Sequence, residues 1–82
     1  MPWQVEFDDA LSSKIDNSKH RNVMLIALKA LVRDIQLAAS PEALAYFGHT
    51  SSGYPAFFVN GFVVRCRLNM TTQVCTIISI SM

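Results

Sequence analysis

The chain has 82 residues, 51% of them apolar and only 16% charged, with a formal net charge of +1. That is enough for one domain with a real core and too little for two. No apolar run nears the roughly 18 residues a membrane span needs, and the N-terminus lacks the basic-then-apolar pattern of a secretory signal. No membrane association is expected; a cytoplasmic protein of a bacterium or phage is, with a sparsely charged surface that favours a partner.

Residues 2–7, PWQVEF, alternate Trp3, Val5 and Phe7 with Gln4 and Glu6, the period of a half-buried strand. Asp8 then stands where a carboxylate caps the first free N–H groups of a helix. Asp9 adds charge favoured at that positive end. Leu11 and Ile15, four apart, share the inner face of this short helix. After the turn cluster Asp16-Asn17-Ser18, residues 19–39 carry the longest helical pattern. Met24, Leu28, Leu31 and Ile35 form its stripe, Ala27, Val32 and Ala38 widen it, and Lys29, Arg33 and Gln36 mark the wet face. Such a stripe is expected to lie across a sheet. Ser40-Pro41-Glu42 restarts a short helix by capping, by proline in the first turn and by a favourable acid. That helix holds Leu44, Tyr46 and Phe47, and Gly48 ends it. His49-Thr50-Ser51-Ser52-Gly53 reads as a polar loop.

Residues 54–82 read as three strands joined by two turns. Asn60-Gly61 is a hairpin signal, because both residues tolerate the positive φ of a type I′ turn. It pairs Val59 with Phe62, Phe57 with Val64, Ala56 with Arg65 and Tyr54 with Arg67. A weaker turn between Met70 and Thr71 pairs Cys66 with Cys75, Arg65 with Thr76, Arg67 with Val74 and Val64 with Ile77. Alternation then puts Phe57, Val59, Phe62, Val64, Cys66, Leu68, Cys75 and Ile77 on one face, which must be covered. The other face carries Tyr54, Arg65, Arg67 and Thr76 toward one end and Phe58, Val63, Ile78 and Ile80 toward the other. A one-residue slip would drive both arginines into the core.

Cys66 and Cys75 fall opposite each other on the covered face. A cross-strand disulfide is one reading; a pair of buried thiols packing as small hydrophobes is the one expected in a reducing compartment. No further Cys or His stands at ligand spacing, so no metal or cofactor is expected. All six acids precede Ala43, whereas residues 43–82 hold Arg65, Arg67 and His49 and no acid. The sheet half is thus expected to be locally positive, suited to phosphates or an acidic protein partner. The chain reads as a single α+β domain over residues 1–82, with helices packed on one face of a small antiparallel sheet. Its order is β-α-α-(short α)-β-β-β, with the first strand at an edge.

The opening strand at residues 3–7, the helix pair, the segment SPEALAYFG and the stretch GYPAFFVNGFVVRCRLN…VCTIISI resemble the RelE/ParE toxin superfamily of bacterial toxin–antitoxin systems. The resemblance implies a compact domain whose exposed sheet face meets ribosome-bound mRNA, or DNA gyrase in the ParE branch, and which an acidic antitoxin neutralises. RNA cleavage on such a fold is metal-independent, and Arg65, Arg67, Tyr54 and His49 are the residues placed to carry it. The two arginines would neutralise the phosphate, Tyr54 would stack a base, and His49, titrating near neutrality, would move the proton. The family's nucleases often carry a Tyr or His near the C-terminus; here the end is Ile80-Ser81-Met82, which leaves room for a ParE-like or non-catalytic member. The alternatives are a protein-binding module, such as a phage-encoded inhibitor or regulatory subunit, and a homodimer formed through Phe58, Val63, Ile78 and Ile80.

Overall fold

The computed structural model describes residues 3–44, 46–48 and 54–81. In chain order the elements are β1 (Gln4–Phe7), α1 (Asp9–Asp16), α2 (Arg21–Leu37), a 3-10 turn (Pro41–Ala43), β2 (Phe47–Gly48), β3 (Ala56–Val59), β4 (Phe62–Asn69) and β5 (Val74–Ser81). The strands form one five-stranded sheet in the order β1-β5-β4-β3-β2. The α+β architecture and the order of its main elements are those expected. β1 does lie at an edge, but it runs parallel to β5, so the sheet is mixed.

Local chemistry starts α1 and the turn after Ser40 as anticipated, whereas α2 begins after His20 with no side-chain cap. Asp8 Oδ1 accepts from the Ala10 N–H at 3.0 Å, and Ser40 Oγ accepts from the Glu42 N–H at 3.2 Å. Met24, Ala27, Leu28, Leu31 and Ile35 of α2 and Leu11 and Ile15 of α1 are buried in one cluster with Phe57, Phe62, Val64, Cys66, Cys75 and Ile77 of the sheet. Among the described residues no polar or charged side chain is buried. Apolar burial of this kind stabilises by about 25 cal/mol per Å² and is the largest favourable contribution here.

Two expectations about the middle of the chain change. The helix after Ser40 is a single 3-10 turn, and Phe47 and Gly48 pair with Phe57 and Ala56 as a short edge strand. The Phe47 and Tyr46 rings stand edge-on to the buried Phe57 at 5.0 and 6.0 Å between centroids. Burying two aromatics against Phe57 outweighs continuing a short helix. Gly48 is therefore no helix end. A Cβ on it would meet Phe58 Cε2 at 2.7 Å, so only glycine lets that ring lie close. Tyr46 also donates its hydroxyl to Asp34 Oδ2 at 2.5 Å, tying this segment to α2. Burial, then the Asp34 hydrogen bond, push the Tyr46 hydroxyl well above the usual tyrosine value.

The first hairpin has the expected register, Val59 opposite Phe62 through Ala56 opposite Arg65, with φ +52° at Asn60 and +84° at Gly61. The second is displaced by two residues. Asn69 pairs with Val74, Leu68 with Cys75, Arg67 with Thr76 and Cys66 with Ile77. Asn69 causes the shift: its Oδ1 accepts from the N–H groups of Thr71 and Thr72, both at 3.1 Å, and Gln73 takes the left-handed conformation at φ +56°. A four-residue loop replaces the two-residue turn. Cys66 and Cys75 are thus diagonal rather than opposite. Both are free and fully buried. Their mutual hydrogen bond and their burial push the Cys66 thiol up, so it packs as a protonated hydrophobe.

A β-bulge follows. Cys66 pairs with Ile77 but Arg65 pairs with Ser79, leaving Ile78 as an extra residue on β5. Beyond it the facing of β5 reverses. Ile80 lies opposite the fully buried Val64 and packs on the core rather than on the open face. The apolar strip proposed for self-association therefore loses Ile80 and is reduced around Phe58 and Val63.

Candidate functional site on the open sheet face

β4 alternates without interruption. Phe62, Val64 and Cys66 are sealed under the helices, whereas Arg65 is half-buried and Arg67 exposed on the opposite face. Arg65 lies between Ala56 of β3 and Ser79 of β5, and it is partnered. Arg67 lies opposite Thr76 of β5, which in turn lies beside Glu6 of β1. The sheet thereby lines up Glu6, Thr76 and Arg67 in one row across three strands. The next row is Gln4, Val74 and Asn69. With strands about 4.8 Å apart, roughly 10 Å separates the backbones of Glu6 and Arg67.

Residues of these two rows other than Gln4, together with Leu68 and with Met70 and Thr72 of the β4–β5 loop, line a cleft of about 510 Å³. Glu6 and Arg67 both line it, as do Thr76 and Val74. The Asn69 side-chain Oδ1 accepts from its own loop, so the loop wall is held in place rather than left to fold into the cleft. A guanidinium offers paired donors to a phosphate or carboxylate. A carboxylate offers paired acceptors to adjacent N–H groups, or takes a proton.

The four residues singled out from sequence do not all meet here. Arg65 and Arg67 share the open face as expected. Tyr54 is 45% exposed and stands two residues before Ala56, the first paired residue of β3. The β3 ladder ends at Ala56, the last bond being the Cys66 N–H to the Pro55 carbonyl at 3.0 Å, and Tyr54 does not line the cleft. His49 lies outside the described residues. The residue that sequence reasoning missed is Glu6. Its alternation with Trp3, Val5 and Phe7 marked it as outward-facing, but nothing local said which strand it would lie beside. The acid-free character of residues 43–82 is therefore tempered by an acid from the other end of the chain.

A second unexpected feature lies on α2. Val23, Ile26 and Leu37 are 51%, 65% and 76% exposed, so the helix is apolar well beyond its buried stripe. Between α1, α2 and Phe7 runs a groove of about 600 Å³ with Leu25, Leu28 and Val32 in it and Lys29 and Arg33 at its edge. Among the described residues, no helix is long and apolar enough to cross a membrane, and no group of three or more His, Cys, Asp or Glu is placed to hold a metal ion.

No protein-family model matches this chain, and no curated protein matches it.

Proposed function

We propose that this protein is a RelE/ParE-like toxin-type module whose open sheet face engages RNA on the ribosome. DNA gyrase is the other target the resemblance implies. The observation that carries this reading is the position of Arg67 on the uncovered side of β4, opening onto a nucleotide-sized cleft, with Arg65 two residues along the same side. Cations on a rigid strand hold their charge in a fixed place, which is what recognition of a phosphate chain requires. The reading is tested by expressing the chain in bacterial cells. Growth arrest is expected, and the Arg65→Ala/Arg67→Ala variant should relieve it while remaining folded. Undiminished arrest by that folded variant, or no arrest by the parent chain, overturns the proposal. Mapping of transcript ends in arrested cells reads directly whether binding is followed by cleavage.

A second reading, a non-catalytic module that binds an acidic segment of a partner protein, is favoured by α2. Exposed Val23, Ile26 and Leu37 are costly to leave in water. Lys29 and Arg33 stand on the same helix, whereas its one acid, Asp34, is held by Tyr46. A second copy laid on this helix would bring like charges together, whereas an acidic amphipathic helix would satisfy both apolar and charged positions. An antitoxin of that kind fits both readings, and only the first predicts arrest in its absence.

A further inference from the structure

The cleft at Glu6, Thr76 and Arg67 is not merely cationic. Its two ionised walls have opposite sign, and they stand on different strands with a hydroxyl between them. A cleft built only to hold phosphate would gain nothing from Glu6, since a carboxylate repels phosphate oxygens. We infer that Glu6 reads a base, and that the cleft selects guanine within single-stranded RNA. This rests on the RNA reading above and adds the identity of the nucleotide to it.

The argument is one of donor pattern. On its pairing edge guanine presents two adjacent donors, the N1–H and the N2 amino group. A carboxylate with two oxygens accepts both at once. Adenine presents one donor beside the N1 lone pair, which faces a carboxylate oxygen repulsively. Uracil presents one N–H between two carbonyls, and cytosine one amino group beside an acceptor. Only guanine matches Glu6 on two bonds. Arg67, two strands from Glu6 along the same row, is then left to the phosphate. Val74 in the adjacent row and Met70, 58% exposed at the loop end, give the base an apolar surface to rest on.

A peptide fits the same cleft less well. Its floor is made of β5 and β4, which are interior strands of the sheet. Their backbone N–H and C=O groups are taken up in the ladders, so an extended chain finds no main-chain partners there. Recognition must come from side chains alone, and a nucleotide brings both of its recognition groups, base edge and phosphate, to such a surface.

The test uses the full chain and three single-stranded RNA pentamers, UUGUU, UUIUU with inosine, and UUAUU, followed by fluorescence anisotropy at fixed salt. UUGUU is expected to bind about tenfold tighter than UUAUU, a paired-contact discrimination, with inosine between them because it lacks the N2 amino group. Glu6→Gln, at an exposed position, should bring guanine and adenine within about twofold, whereas Arg67→Ala should weaken all three alike. Equal binding of UUGUU and UUAUU by the parent chain, or a preference that survives Glu6→Gln, overturns the inference and leaves the proposed function standing. Binding of none of the RNAs, whether or not a poly-glutamate peptide binds instead, overturns both.

Discussion

The two sides of β4 answer to different physics. The side with Phe62, Val64 and Cys66 is sealed by α1 and α2, and its residues act through volume: any atom removed leaves a cavity. The side with Arg65 and Arg67 is open, and its residues act through charge at a fixed location. On the proposed function, one strand contributes to stability on one face and to recognition on the other, and substitutions on the two faces should produce separable phenotypes.

The sharpest way to break that separation is at the core. Leu31, fully buried at the centre of the α2 stripe, should lose about 2–5 kcal/mol of stability as Leu31→Ala in urea denaturation. That is a large share of the total for a domain of this size. If the variant stays folded, its affinity for a polyanion should be unchanged. The converse experiment is next in size. Arg65→Ala/Arg67→Ala should weaken binding of single-stranded RNA at least about tenfold and reduce the slope of log affinity against log salt by about one to two. The urea midpoint should stay nearly where it was, because both side chains lie outside the core. A large stability loss would mean the open face also holds the fold together.

Smaller effects come from the connections between the faces. Tyr46→Phe removes the hydrogen bond to Asp34 and should cost about 1 kcal/mol. With the tyrosine pKa raised in the folded state, the stabilisation is fully present below the ordinary value of 10.0 and is lost as pH rises above it. The parent chain should therefore lose more stability than Tyr46→Phe between neutral pH and the alkaline range, measured by thermal melts. Gly61→Ala, which forces a side chain onto φ +84° with open space around it, should cost about 1 kcal/mol from backbone strain alone. It should move neither the core nor the cleft.

The facing of β4 was legible in the sequence because it depends on a period of two and on one tight turn, and Asn60-Gly61 fixes that turn locally. The second hairpin was less legible. Whether Asn69 caps two N–H groups or enters a two-residue turn depends on competing local bonds, yet the displacement it causes is an even number of residues. Arg67 therefore kept its side while its partner changed from Val74 to Thr76. The bulge at Ile78 has no sequence mark at all, and it alone turns Ile80 to the core. Helix starts at Asp8 and Ser40 were readable from capping chemistry, whereas the length of the second was decided by rings packing edge-on against Phe57.

What the sequence by itself determined is which residues face together along one strand or one helix, since backbone geometry sets those periods. What only the tertiary structure decided is which separate segments become neighbours. β1 docks parallel to β5 and brings Glu6 beside Thr76 and across from Arg67, joining two ends of the chain some sixty residues apart. No local preference encodes that pairing, because it follows from burying Trp3 and Val5 under the helices together with the rest of the sheet.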